Sequence, residues 1–215
     1  MKLISINLGQ ERTLVGKKRA WQTGIFKVPV TRPVRVSVDG LPEDVICDRK
    51  NHGGHDQALS VYGTPDYEWW ADQLRQALTP GTFGENLTIE GLESAHCRIG
   101  DSLVVGEVIL QITSPRIPCN TLATRMKDPY FVKLFRRAER PGLYCRVIRE
   151  GWLHLGDPVR LDPYLGETVS VLEMFRDYYV PVLDEASLRR YLAAPICARA
   201  RADKEGQWQK LTSRG

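Results

Sequence analysis

The chain has 215 residues, 42% hydrophobic and 26% charged, with a formal net charge of +4. At about 150 residues per domain this is one or two domains, large enough to bury an apolar core without disulfide or metal staples. The mild basic excess is far from the dense cationic stripe of a dedicated nucleic-acid binder, and no run approaches the ~18 apolar residues of a membrane span. Five cysteines (Cys47, Cys97, Cys119, Cys145 and Cys197) are scattered singly, without a C-x-x-C pair. That usage predicts no disulfide framework and a reducing, cytoplasmic home.

In chain order, Met1–Asn7 lacks a long apolar stretch and a small-residue cleavage site, so it reads as the start of a strand rather than a signal peptide. Leu3–Leu8, Gly24–Val30 and Val34–Val38 are strand-like runs, the last alternating Val34, Val36 and Val38 before a Gly40-Leu41-Pro42 turn. Thr64-Pro65-Asp66 predicts a helix start, with Thr64 as N-cap and Pro65 at the first helical position. Tyr67, Trp70, Ala71, Leu74 and Leu78 then share one face and form its core stripe.

Phe83–Ile89 and Ser102–Thr113 read as strands, the second split at Gly106. Asp128-Pro129 predicts a second helix whose buried stripe is Phe131, Leu134, Phe135 and Ala138. Leu143–Ile148 and Pro158–Leu161 return to strand. Beyond residue 166 the apolar spacing turns helical, through Val171, Leu172, Phe175 and Tyr178, then Leu188, Tyr191 and Leu192 behind a cap at Asp184. The predicted fold is therefore mainly β (α+β), a β-barrel-like domain over residues 1–165. A small C-terminal helical appendage over 166–215 follows, with its boundary at Asp162-Pro163-Tyr164-Leu165-Gly166.

Four segments form an ordered pattern. The first is Lys50-Asn51-His52-Gly53-Gly54-His55-Asp56-Gln57-Ala58-Leu59 with Tyr62. The second is Phe83-Gly84-Glu85-Asn86-Leu87 with Gly91-Leu92. The third is Ile99-Gly100-Asp101, then Leu110-Gln111 and Pro115-Arg116-Ile117-Pro118-Cys119. The fourth runs from Gly151 to Gly156-Asp157 and Val159. Each motif alone is weak. In this order, and ending in Pro-Arg-x-Pro-Cys, they resemble the MOSC family, named after the C-terminal domain of molybdenum cofactor sulfurase, in its YiiM-like branch.

The resemblance implies a β-rich barrel with a cofactor cleft, a C-terminal three-helix appendage, and a molybdopterin-type molybdenum cofactor. It further implies reduction of N-hydroxylated compounds, including N-hydroxylated purine bases, with electrons from a partner protein. Two positions depart from the family pattern. Thr121 stands where relatives often carry lysine, which removes a possible phosphate or pterin contact, and His55 falls at a variable position.

Cys119 is the expected metal ligand, because molybdenum held by a dithiolene is matched by a soft thiolate. Arg116 upstream and a helix starting at or after Asn120 would stabilise that thiolate, and Pro115 and Pro118 stiffen the loop presenting it. The plainer alternative is a small buried apolar cysteine, the reading kept for the other four. Arg116 offers a planar fork for a phosphate or oxo group, or else a salt bridge that pins the loop. Gly53-Gly54 permits close approach of a ligand, and Lys50 could meet a phosphate or be merely solvated.

His52 or Asp56 could deliver protons, since breaking an N–O bond consumes them. Alternatively both hold the turn through side-chain to backbone bonds. Asn86 could pair with pterin nitrogens, or bend a strand start. His52-x-x-His55-Asp56 could instead hold zinc or iron, but no H-E-x-x-H signature accompanies it and His96 and His154 stand alone.

Three functions stay open at this level. An oxidoreductase would bind cofactor through Cys119 and, lacking any flavin, haem or iron–sulfur motif, draw electrons from another protein. A carrier would hold cofactor or sulfur on Cys119 without turnover. A nucleic-acid module would use the basic tail (Arg189, Arg190, Arg199, Arg201, Lys204, Lys210 and Arg214), but no interleaved aromatic platform supports it. The same tail could dock an acidic electron-transfer partner or be a solvated helical surface.

Overall fold

A computed structural model describes residues 1–16, 19–48, 52–181 and 184–213. Its strands are β1 Lys2–Gly9, β2 Arg12–Val15, β3 Ala20–Thr23, β4 Lys27–Val30, β5 Val34–Val36, β6 Leu59–Gly63, β7 Leu87–Glu90, β8 Ser102–Val105, β9 Val108–Pro115, β10 Leu143–Arg149, β11 Gly151–Leu153 and β12 Val159–Asp162. Its helices are α1 Thr64–Leu74, α2 Asn120–Arg125, α3 Phe131–Ala138, α4 Val171–Tyr179, α5 Glu185–Ala193 and α6 Ala198–Thr212. No helix among the described residues is long and apolar enough to cross a membrane.

Eight strands form one sheet in the order β12-β8-β9-β10-β6-β7-β1-β4. Its neighbours are antiparallel except β6 and β7, which run parallel. The sheet curls back on itself. The Leu3 N–H donates to the Asp157 carbonyl at 2.9 Å, Gly156 N–H to Leu3 at 2.8 Å and Val159 N–H to Met1 at 3.0 Å, so the run into β12 meets β1. Such closure removes most of the open edge. Inside lies a core of branched residues from alternating positions, including Leu3, Ile6, Leu59, Val61, Leu87, Ile89, Leu103, Val105, Leu110, Ile112, Leu143 and Cys145. The β5–β11 and β2–β3 pairs flank the main sheet.

Trp70 from α1 packs against Phe83, Phe131 and Phe135, with Tyr62 and Phe175 in the same cluster. This second, aromatic core anchors α1 and α3 against the barrel. Side chains cap two of the C-terminal helices, α5 at the Asp184 that its sequence suggests and α4 at Ser170. Ser170 Oγ accepts from the Glu173 N–H of α4 at 2.9 Å, and Asp184 Oδ1 from the Ser187 N–H of α5 at 2.8 Å. A buried Lys204–Asp177 pair joins α6 to α4. Val171, Met174, Tyr191, Ala194, Ile196 and Cys197 belong to the same apolar cluster as the barrel interior.

Several local expectations shift. Gly63, not Thr64, is the N-cap of α1. A Cβ at Gly63 would lie 1.6 Å from the Leu92 carbonyl oxygen, so only glycine fits there, and Thr64 Oγ1 instead accepts from the Gly91 N–H at 3.1 Å. The helix stops at Leu74, where Arg75 turns left-handed, short of Leu78. Phe83–Asn86 is loop, because Gly84 at φ +80° breaks the extended run and Phe83 turns into the aromatic core. Asp128 bonds the Tyr130 N–H at 2.8 Å and closes its own turn, so α3 begins at Phe131. The β2–β3 hairpin lies outside the strand runs read from the sequence.

Candidate functional site

A cavity of about 940 Å³ opens between the β2–β3 hairpin, the loop around residues 44–48, the His52-Gly53 turn and the start of α2. Cys119 stands at its wall for a local reason. β9 ends where Pro115 pairs with Leu143, and Pro118 cannot donate to a ladder. The chain then turns through an extended Cys119 (φ −126°, ψ 171°), which caps α2. Its sulfur thereby meets the Leu122 N–H.

The Cys119 thiol is half-buried, and burial alone would raise its pKa. The hydrogen bond from His52, the Arg116 charge and the Leu122 N–H together outweigh burial and bring it down to about 6. Its relatives in the chain behave oppositely: burial pushes Cys97 up to about 12 and raises Cys145, and Cys47, half-buried on the same cavity wall, is raised as well. Of the four cysteines whose thiol is shifted, only Cys119 is shifted down.

Arg116 is 6% exposed and lines the cavity. Its guanidinium hydrogen-bonds Tyr144, and its Nη1 is buried without any partner. A buried, charged donor left unsatisfied is costly. Tyr144 projects from β10, is buried, and lies 3.1 Å from His52 Nδ1 through its hydroxyl.

Asn86 also lines the cavity, but its amide is committed. Oδ1 accepts from the Ser60 N–H and hydroxyl at 3.1 and 3.0 Å, and Nδ2 donates to Asp44 Oδ2 at 2.8 Å. Asp44 also accepts from the Gly9 N–H at 2.7 Å and pairs with buried Lys27. Burial lowers the Lys27 pKa against the pull of Asp44. This knot fastens the 44–48 loop to β1, β4 and β6. Gly24 allows a still closer fit, since a Cβ there would lie 1.8 Å from the Val45 carbonyl oxygen.

The remaining expected residues divide. Gly53 lines the cavity at φ +81°; Gly54, also at φ +81°, does not. Asp56 sits in a short 3-10 turn and lies off the cavity wall. Its carboxylate pairs with Arg146 at 3.0 Å and accepts the Ala198 N–H at 2.6 Å, so it ties α6 to the barrel. His55 is exposed and turns to Asp39 at 3.7 Å. His52, His55 and Asp56 therefore diverge, and among the described residues no set of three or more His, Cys, Asp or Glu could hold a metal. Lys50 lies outside the described residues. Thr121 accepts from Trp21 Nε1 at 3.2 Å and so ties the hairpin to α2.

Tyr144, Lys27, Asp44, Trp21 and Arg19 reach the cavity without having been singled out in the sequence. Only the buried, inward setting of Lys27 and Tyr144 on otherwise apolar strands could have marked them. A second groove of about 500 Å³, beside Tyr164 and Arg160 on the sheet's outer face, is lined by neither a cysteine nor a histidine.

A family model for the MOSC domain matches residues 48–160. The YflK protein of Bacillus subtilis is 34% identical over 159 residues, covering 74% of this chain and 72% of YflK. A reductase of Gibberella moniliformis is 31% identical over 143 residues, 65% of this chain but 25% of that longer protein. The crystal structure of YiiM from Geobacillus stearothermophilus superposes with a TM-score of 0.77 at 27% identity, covering 95% of this chain and 97% of YiiM.

Proposed function

The chain belongs to the MOSC domain family, and from that premise we propose that it is an oxidoreductase that reduces N-hydroxylated compounds with a molybdopterin-type molybdenum cofactor held through Cys119. One observation carries the reading: the depressed Cys119 thiol and the buried Arg116, whose Nη1 has no partner among the described residues, line one cavity of about 940 Å³. A soft anionic sulfur suits molybdenum, and an orphaned guanidinium donor suits a phosphate or oxo group. The chemistry of this donor set fits the cofactor. The match to a fungal reductase supports the direction of the reaction.

When bound, the cofactor supplies a two-electron redox centre. The residues of the chain supply the rest. The Cys119 thiolate anchors; Arg116 orients an anionic group through Nη1; the Lys27–Asp44–Asn86 knot holds the wall. His52, in contact with Cys119, is placed to pass a proton to a substrate oxygen in the cavity. The overall reaction breaks the N–O bond, takes up two electrons and two protons, and releases the amine or base and water. Asp56 is not part of that delivery, because its carboxylate is spent on Arg146 and Ala198. The electrons come from a partner protein, and a reducing cytoplasm suits the five unpaired thiols.

The test is molybdenum content per chain after production in a cofactor-competent host. Wild type is expected to carry molybdenum and Cys119→Ala to lose most of it; equal contents would overturn the reading. Loaded protein is further expected to reduce N-hydroxylaminopurine or benzamidoxime. Bound molybdenum without turnover from any electron donor would leave a carrier instead.

A further inference from the structure

Tyr144 is buried on β10, and its single hydroxyl touches two groups that serve Cys119. It lies 3.1 Å from His52 Nδ1, and the Arg116 guanidinium hydrogen-bonds it. His52 in turn bonds the Cys119 sulfur. All four side chains line the one cavity.

The donor inventory constrains the direction of these contacts. A guanidinium has only donors, so the tyrosine oxygen must accept from Arg116. The phenol has one proton, which Arg116 cannot accept and a bare His52 Nδ1 at 3.1 Å can. Nδ1 then carries no hydrogen in the neutral ring, and the ring proton sits on Nε2, the nitrogen left for the sulfur. Burial raises the Tyr144 pKa against the opposing Arg116 charge, so the phenol keeps its proton.

We propose that Tyr144 is a positioning residue that sets the tautomer and orientation of His52, so that Nε2–H points at Cys119 and the hydrogen bonds run Arg116 to Tyr144 to His52 to Cys119. This rests on the roles proposed for Cys119 and His52. It assigns Tyr144 the duty that a carboxylate or carbonyl partner performs for histidines elsewhere, with the proton direction reversed: the phenol gives to Nδ1 rather than receiving from it.

The experiment measures the ring nitrogens of His52 by long-range 1H–15N correlation in cofactor-free, 15N-labelled protein, at a pH where the ring is neutral. The signals are assigned by their loss in His52→Gln. Wild type is expected to show protonated Nε2 and a bare, hydrogen-bonded Nδ1. In Tyr144→Phe the Nδ1 signal is expected to move to the position of a nitrogen that accepts no hydrogen bond, while His55, His96 and His154 stay put. A protonated Nδ1 in wild type, or an Nδ1 signal indifferent to the substitution, would overturn the proposal. Should Tyr144→Phe fail to fold, the wild-type pattern alone decides.

In loaded protein, Tyr144→Phe is expected to lose about 10- to 100-fold in molybdenum affinity or turnover, with the melting curve little changed. Because the nitrogen measurement needs no cofactor, a correct tautomer without molybdenum at Cys119 would sink the functional reading and leave this one standing.

Discussion

Cys119 differs from Cys97 and Cys145 by company as well as by exposure. Cys97 meets burial, nearby acids and the Glu93 carbonyl, and Cys145 meets burial and Cys97, whereas Cys119 meets His52, Arg116 and a backbone amide. In cofactor-free protein, iodoacetamide labelling of Cys119 is expected to rise through about pH 6 and level off, while Cys47 stays slow until well above that. Peptide mass spectrometry over a pH series reads both. The same shift bears on stability. The folded thiol ionises near 6 and the unfolded one near 9.0, so the fold favours the thiolate. Its contribution is complete above pH 9.0 and lost as the pH falls through 6. Wild type should therefore gain stability over Cys119→Ala as the pH climbs across that window; a constant gap would place the charge elsewhere.

At the scale of elements, loops meet helices through single polar fastenings. Asp44 clips the 44–48 loop onto β1 and β6, Thr121 holds the hairpin, and Asp56 holds the start of α6. Another buried pair ties the C-terminal helices together. Lys204 on α6 is 3% exposed, pairs with Asp177 on α4, and stands over the Tyr191 ring of α5 at 4.6 Å. Breaking a buried pair by removing one partner costs up to about 3–5 kcal/mol. Lys204→Ala is expected to lower the urea midpoint accordingly with its slope unchanged. A shift of a few tenths of a kcal/mol would mean the pair is not sealed from water.

For the whole molecule, the decisive fact is a shared interior. Val169, Val171, Met174, Tyr191, Ile196 and Cys197 pack in one cluster with Leu3, Leu103 and Ile112 of the barrel. The helices beyond residue 166 thus cover apolar surface that the barrel would otherwise expose. A chain ended after Gly166 is expected to lose its sharp thermal transition and to bind a hydrophobic dye such as ANS. A sharply melting, dye-silent fragment would show that the barrel stands alone. Parallel β6 and β7, joined through α1, and the β1 contact with the run into β12 bring residues 44, 52, 116, 119 and 144 around one space.

What the sequence determined by itself was whatever depends on neighbours in the chain. Alternating Val34 and Val36, the caps at Asp184 and the start of α2, and the stiff Pro-Arg-x-Pro-Cys loop are all short-range, and the ordered motifs carried the family. Tertiary structure decided the rest, because the partners are far apart in number. Asp56 and Arg146, Lys27 and Asp44, and Tyr144 and His52 are each separated by enough chain that no local period links them. Only the closed sheet, by burying some polar groups and leaving one Arg116 nitrogen unmatched, separates the side chains that hold the fold from those that face the cavity.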